Sequence, residues 1–361
     1  MKIFFLGLMA AYVGGNSYIF VRALQQMSGA PMAVRVLFGV LYWVVAMALF
    51  ASFALRDLSV PASVGRVLFT IGSVWLVFTL YMVIALIVCD LAHWLWPSFK
   101  CGFWIASVVV CAVLAYGYWN YRHPRVVKLE LEVDRPIEGG AMRIVAASDI
   151  HLGEGTGRDA LHRYVEMINA QQPDVVLIAG DLIDNSVAPV ARDSMCEEFD
   201  AVKAPMGIYF SAGNHEYISG LQKVEELLRD TPIRLLRDSV AVLPNGVQLI
   251  GRDDRSNRHR ESLSALVAKA DAASPIIVLD HQPYNLAEVE RLAIDLQISG
   301  HTHRGQVWPL NWLTDRMYAQ SYGYRRWSNT HIYVSSGLSL WGPPFRIGTQ
   351  SELVVIELKN E

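Results

Sequence analysis

Only eight of the first 120 residues carry a formal charge (Lys2, Arg22, Arg35, Arg56, Asp57, Arg66, Asp90, Lys100), although the 361-residue chain contains 65 Asp, Glu, Lys and Arg in all. A stretch so poor in charge cannot cover itself with the polar surface a soluble fold needs, so the chain divides near residue 120 into two chemically different parts. Four apolar runs lie in the first part, at about 3–21, 36–55, 67–89 and 101–119. At 1.5 Å per helical residue, about 20 residues cross a hydrocarbon core, so four transmembrane helices are expected within 1–120. The first run is broken by Gly14, Asn16 and Ser17 and comes after Lys2 as a signal peptide would, but it continues to Val21 and three more runs succeed it. Trp43, Trp75, Trp94, Trp96, Trp104 and Trp119 fall in this part, several near the ends of the runs, where an amphipathic ring suits the headgroup level. No run contains the paired acid and base of an ion path, which favours an anchor or lipid guide over a transporter.

With four spans both chain ends share one face, carrying Lys2, Arg56, Arg66, Arg122, Arg125 and Lys128 against Arg22, Arg35 and Lys100 opposite. The positive-inside rule then predicts a multi-pass protein of the cell (inner) membrane with its polar half in the cytoplasm. A basic, Pro-interrupted junction at 121–135 leads into an alternating run, 126–133, that reads as an edge strand, and a separate domain is expected over 136–361. The first 120 residues sum to +4 and the rest to −7. An acidic second half is a poor nucleic-acid binder, so no nucleic-acid partner is expected. Cys89, Cys101 and Cys111 sit in apolar runs and Cys196 is alone in the polar half, so no disulfide framework is expected there.

From residue 142 onward, short apolar runs (142–147, 175–179, 207–210, 276–279 and 296–298) alternate with helical patterns near 158–171, 188–202, 219–229, 260–272 and 285–293, which predicts an α/β domain. The residues just past the end of each run are more telling: Asp149-Ile150-His151, Gly180-Asp181, Gly213-Asn214-His215-Glu216, His281 and Gly300-His301-Thr302-His303. Carboxyl ends of strands in layered α/β folds converge on one crevice, so residues more than 150 positions apart are expected to share one site. Five of the ten histidines sit at these strand ends, whereas His93, His123, His162, His259 and His331 match no comparable pattern and read as structural.

Hydrolysing a phosphate ester near neutral pH requires a strong oxygen nucleophile and neutralisation of charge on the phosphoryl oxygens, and two divalent ions about 3.5–4 Å apart supply both. Asp149, His151, Asp181, Asn214, His281, His301 and His303 are the metal-ligand candidates. Imidazole with carboxylate favours Mn, Fe or Zn over Ca, and the lack of clustered thiolates disfavours a structural zinc site. In Asp149-x-His151, strand alternation would point both side chains the same way, and the glycines before Asp181, Asn214 and His301 would ease tight strand-to-loop turns.

These spaced elements resemble the signature of the calcineurin-like metallophosphoesterases over about residues 140–355, with every element of that signature present. The resemblance implies a four-layer α/β/β/α sandwich with a dimetal centre at the strand ends. It implies that Asp149, His151, Asp181 and His303 hold one ion, and that Asp181 as bridge, Asn214, His281 and His301 hold the other. His215 would stabilise the transition state or protonate the leaving oxygen, a role suited to an imidazole. The stretch 334–348 further resembles bacterial membrane-associated members, some of which act on lipid-linked or nucleotide-linked phosphodiesters.

Arg304 and Arg346 are expected to fork onto a substrate phosphate, while Tyr217 and Trp341 could line a pocket but are expected to pack in the core instead. The expected activity is metal-dependent hydrolysis of a phosphodiester, pyrophosphate or phosphomonoester on a membrane-associated or lipid-linked substrate. The competing expectation is a membrane receptor or scaffold that binds a phosphorylated ligand without turnover, against which the full ligand set and His215 count.

Overall fold

The computed structural model of the chain describes residues 2–55 and 62–361, with side chains from 6 to 55 and from 63 to 361. The Lys2 side chain and Arg56, used in the charge count above, lie outside the described residues. The chain forms two units, Met1–Trp119 with Gly342–Pro344, and Asn120–Trp341 with Phe345–Glu361.

The first unit is helical, with α1 (Lys2–Gln26), α2 (Met32–Ala54), α3 (Ala62–Leu95) and α4 (Gly102–Arg122). Among the described residues three helices are long and apolar enough to cross a bilayer, Met32–Ala54, Ser63–Leu95 and Gly102–Arg122, where four were expected. The helix α1 also forms but is not one of the three, and its polar interruption has a structural use. Asn16 is fully buried, its Oδ1 accepts from Trp75 Nε1 (2.9 Å) and the Tyr42 hydroxyl (3.1 Å), and its Nδ2 donates to the Tyr12 carbonyl (3.0 Å). At Gly72 a Cβ would stand 2.2 Å from the Leu49 backbone nitrogen, so α2 and α3 pack backbone to backbone through a small residue. The third helix runs far enough to take in Asp90, which pairs with Arg22 of α1 at 2.5 Å and accepts from the Tyr18 hydroxyl at the same distance, tying the two helices together.

The second unit runs β1 (Arg125–Val133), β2 (Ala141–Ala147), α5 (Arg158–Asn169), β3 (Val175–Ala179), α6 (Ala188–Arg192), a 3-10 helix (Met195–Ala201), β4 (Ile208–Ser211), α7 (Asn214–Ser219), α8 (Leu221–Leu228), β5 (Ile233–Leu236), β6 (Ser239–Val242) and β7 (Gln248–Gly251). It continues with α9 (Leu263–Val267), β8 (Ile276–Leu279), α10 (Leu286–Arg291), β9 (Leu296–Ser299), α11 (Leu310–Met317), β10 (Gly323–Trp327), β11 (Thr330–Val334) and β12 (Glu352–Asn360). The strands make two six-stranded sheets, ordered β1-β12-β2-β3-β4-β5 and β10-β11-β9-β8-β7-β6. The alternating run 126–133 does form an edge strand, β1, paired parallel to β12 from Arg125 against Glu352 to Val133 against Asn360.

Core packing gives the layers. Ile144, Ala146, Leu177 and Ala179 from one sheet meet Leu249, Ile277, Leu279 and Ile298 from the other in one apolar layer between the sheets. The outer face of the first sheet carries Val145, Val176 and Ile178 against Leu161, Val165 and Val224 of α5 and α8, and that of the second carries Ile250 and Val278 against Leu266 and Val289 of α9 and α10. This is the expected α/β/β/α sandwich. The helix α5 shows how sequence dictates the arrangement: its buried residues Leu161, Tyr164, Val165 and Ile168 recur at helical spacing on one stripe. Both faces of β3 and β8 are covered, so all their residues are buried and their sequences, VVLIA and IIVL, are continuous apolar runs.

Candidate metal centre

The carboxyl ends of β2, β3 and β4 in one sheet and of β8 and β9 in the other carry all seven candidate ligands. Backbone pairing continues beyond the strands and fixes the loops against each other: Asp149 N–H donates to Gly180 O (3.1 Å), His151 N–H to Asp181 O (3.0 Å) and Gly300 N–H to His281 O (2.9 Å). A side-chain bond crosses between the sheets at the site, from His281 Nδ1 to the Ala179 carbonyl (2.8 Å). With Nδ1 so occupied, Nε2 is the nitrogen His281 presents to the site.

The donor atoms converge. His303 Nε2 lies 3.3 Å from Asp149 Oδ1 and 3.2 Å from His151 Nε2, and His151 Nε2 lies 3.9 Å from Asp149 Oδ1. Asp181 Oδ2 is 3.0 Å from His281 Nε2 and 3.9 Å from His151 Nε2, so one carboxylate oxygen stands between the two groups. Three sets of His and Asp side chains bring ligand atoms within 4.8 Å of one another: Asp149, His151 and His303; Asp181, His281 and His301; and His151, Asp181 and His215. The first two fall inside the two ligand groups that the resemblance implies.

These donors suit metal ions on their own evidence. Two ligand atoms each about 2.1 Å from a shared ion stand roughly 3–4 Å apart for angles of about 90–135° at the ion, the range found here. His281 Nε2 and Asn214 Oδ1 are buried without a hydrogen-bond partner, an expensive state for polar atoms in a fold that has evolved no ligand for them. His301 is lowered to about 4, by burial and by the neighbouring His281, and His303 is driven well below its ordinary value by burial and by His151 and Arg346. Both are thereby kept neutral, as a metal-binding imidazole must be, whereas at His281 burial is outweighed by Asp181, which raises that imidazole well above its ordinary value. Asp181 is held well below the usual carboxylate range: burial opposes its charge, but His281, His151 and His215 outweigh it. The chemistry of the donor set is that of divalent ions, and no particular metal is selected by it.

Two local expectations change in the structure. The strand β2 ends at Ala147, so Asp149 and His151 do not converge by strand alternation; both take left-handed backbone conformations, φ 53° and 50°, as do Asp181 (53°), His301 (70°) and His303 (47°). Five of the seven candidate ligands are thus non-glycine residues in a conformation that costs free energy, a concentration of strain typical of functional sites. Glycine at 300 serves space rather than turning: a Cβ there would come 2.3 Å from Asp149 Oδ2. Gly180 has both reasons, with φ 80° and a Cβ position 2.3 Å from His281 Nδ1.

Arg346 is a correction. It is wholly buried, and its guanidinium donates to the carbonyls of His303 (2.8 Å), Ser336 (2.6 Å) and Ser339 (2.5 Å), so it braces the loop that carries His303 instead of opening onto a phosphate. Arg304 remains at the site's edge, half-buried, its guanidinium 4.4 Å above the Tyr322 ring. Tyr217 also turns away from a pocket-lining role: its hydroxyl donates to both oxygens of Asp253 (2.7 Å each). Trp341 is 44% exposed with its ring 6.2 Å from that of His215.

Two residues that sequence reasoning left without a role prove central. The buried Glu216 carboxylate accepts from the backbone N–H groups of Asp181 (3.0 Å), Ile183 (2.9 Å) and Gly213 (2.7 Å), stapling the loops after β3 and β4 together. Asp184 sits behind two histidines: its carbonyl accepts from His215 Nδ1 (2.9 Å), and its Oδ1 lies 3.3 Å from that nitrogen and 3.5 Å from His151 Nδ1. Burial works against a charged His215, but Asp184 and Asp181 outweigh it and raise the imidazole to about 9. Glu216 was visible as the last residue of the third motif; Asp184 had no signal beyond lying three residues after Asp181. His331 is structural as expected, paired with the Tyr324 hydroxyl and the Glu132 carbonyl, each at 2.9 Å.

Comparison with known proteins agrees with this geometry. Residues 142–305 match the family model for calcineurin-like phosphoesterases. A Danio rerio transmembrane protein with a metallophosphoesterase domain is 36% identical over 275 residues, covering 71% of this chain and 62% of that protein's length. Uncharacterised metallophosphoesterases from Campylobacter jejuni and Helicobacter pylori strain 26695 are each 30% identical, over 267 and 274 residues, covering 72% and 73% of this chain and 70% and 71% of theirs. With its sandwich fold, strand-end ligands and these relatives, the chain belongs to the calcineurin-like phosphoesterase family.

Proposed function

We propose that this protein is a membrane-anchored hydrolase that uses two divalent transition-metal ions (Mn, Fe or Zn) to cleave a phosphodiester, pyrophosphate or phosphomonoester bond in a membrane-associated or lipid-linked substrate. The observation that carries the reading is Asp181, whose single Oδ2 lies between the two donor groups at 3.0 and 3.9 Å. Asp149, His151, Asp181 and His303 would hold one ion and Asp181, Asn214, His281 and His301 the other. When bound, such a pair acidifies water and neutralises phosphoryl oxygens.

The chain's own residues do the rest. Glu216 fixes the Asp181 backbone, and Arg346 fixes that of His303, so both ligand loops are set before substrate arrives. His215, with Nδ1 committed to the Asp184 carbonyl, keeps Nε2 to hold a proton for a phosphoryl or leaving oxygen. Arg304, next in sequence to His303, and Trp341, beside His215, would meet the substrate.

Two observations support an amphiphilic substrate; the inner-membrane, cytoplasm-facing assignment, argued from four spans where three are found among the described residues, rests on loop charge alone and belongs to the proposal. One is the set of three spanning helices. The other is α11, which comes after the His303 loop and buries none of its residues: Leu310, Trp312, Leu313 and Met317 are 44%, 63%, 53% and 59% exposed. An apolar surface of that kind on a polar domain suits a lipid or acyl chain.

The test is turnover by the purified full chain in lipid nanodiscs with added Mn, against monoesters, diesters and pyrophosphates, each in water-soluble and lipid-linked form. Metal-dependent hydrolysis with preference for a lipid-linked member supports the reading. Metal-dependent hydrolysis without that preference would remove its lipid element, and no hydrolysis of any member would remove the enzyme.

A further inference from the structure

Beside His301 lies a surface that the candidate ligand set does not use. The Tyr318 ring is 6.4 Å from that of His301, the Tyr284 ring packs tilted at 46° against that of Tyr318 at 5.1 Å with their hydroxyls hydrogen-bonded (3.3 Å), and the Arg255 guanidinium lies 4.2 Å above the Tyr284 ring. Arg255 is exposed, yet it springs from a loop that is held rigidly from below. Arg252 and Arg260 both donate to the buried Asp280 (2.9 and 3.3 Å), Asn257 and Arg237 to Asp253 (2.9 and 3.0 Å), and Gln282 to Asp254 (2.7 Å). Asp280 and Gln282 flank His281 in sequence, so the loop bearing Arg255 is fastened to the same strand end as a candidate metal ligand.

We propose that Arg255, Tyr284 and Tyr318 form a subsite for a second phosphoryl group of the substrate, the one that is not attacked, which makes pyrophosphate-linked compounds the favoured substrate class. The inference rests on the phosphoesterase reading and narrows it. The physical case is one of pre-organisation. A guanidinium held over a tyrosine face loses little freedom on binding, and its N–H groups stay free to meet an anion by charge-assisted hydrogen bonds. The Tyr318 and Tyr284 rings link that cation to His301 through successive contacts of 6.4, 5.1 and 4.2 Å, and the acidic groups of the loop, Asp253 and Asp254, are engaged by Tyr217, Asn257, Arg237, Ser256 and Gln282 instead of by Arg255.

The experiment uses the full chain hydrolysing bis(p-nitrophenyl) phosphate at fixed free Mn, with methylenediphosphonate and methylphosphonate as competing inhibitors. Wild type should bind the diphosphonate at least about tenfold more tightly than the monophosphonate, the worth of one charge-assisted contact. Arg255→Ala should abolish that preference while leaving monophosphonate inhibition unchanged, and Arg255→Lys, which keeps charge but not the planar fork, should restore part of it. Wild type without the preference, or a variant that weakens both inhibitors equally, overturns the subsite while leaving the hydrolase intact. A wild type that cleaves no ester at all instead overturns the phosphoesterase reading beneath it.

Discussion

His281, at the end of β8 in one sheet, donates from Nδ1 to the carbonyl of Ala179, at the end of β3 in the other, at 2.8 Å. That bond joins the two halves of the sandwich at the site and aims Nε2 of His281 at the Asp181 carboxylate, 3.0 Å away. The centre is therefore a property of how the two sheets are paired, and substitutions that disturb the pairing should read out as metal loss before they read out as unfolding.

Asp181→Asn tests the shared carboxylate. Removing its charge while keeping its shape should lower kcat by about 10³-fold or more, in line with losing electrostatic stabilisation at a reacting centre, and should lower bound metal while circular dichroism stays native. Turnover within tenfold of wild type would show that Asp181 bridges nothing.

Glu216→Ala leaves three buried N–H groups without their acceptor. At about 1–3 kcal/mol for each orphaned group, partly offset by water entering the space, a net loss of about 3 kcal/mol is expected. For a domain of this size that lowers the melting temperature by roughly 5–10 °C, readable by differential scanning fluorimetry of the detergent-solubilised chain.

Gly300→Ala places a methyl 2.3 Å from Asp149 Oδ2. Because Asp149 also accepts from His301 N–H at 3.1 Å through both oxygens, the clash moves two ligands at once. Metal content should drop below half of wild type by plasma mass spectrometry, with little change in melting temperature of the metal-free protein.

Arg346→Lys separates bracing from substrate binding. A lysine cannot replace a fork that reaches the carbonyls of His303, Ser336 and Ser339 together, so stability and metal retention should fall. A variant with native melting temperature and only a raised KM would restore Arg346 to the substrate.

What the sequence disclosed and what it withheld have separate physical causes. Strands buried on both faces, such as VVLIA at β3, announce themselves as unbroken apolar runs, and polar ligands placed right after them stand out. The strands β5, β6, β10 and β11 gave no such signal; β10, Gly323–Trp327, keeps an exposed centre of Tyr324, Arg325 and Arg326 and exists through its pairing with β11. Arg346 misled because nothing local distinguishes an arginine that braces a loop from one that meets a phosphate; its partners lie 7 to 43 residues away. Asn16 interrupts the first apolar run, as its polarity announced, but its packing as the hub of three aromatic and polar neighbours had no local signal.

On the proposed reading, side chains from five strand ends grip a pair of transition ions around Asp181. Its most direct test is metal analysis with X-ray absorption on the purified, active full chain. Two ions per chain, ligated by nitrogen and oxygen at about 2.0–2.2 Å and lost together with activity on chelation, is the predicted result. Full activity in protein stripped of transition metal would contradict it.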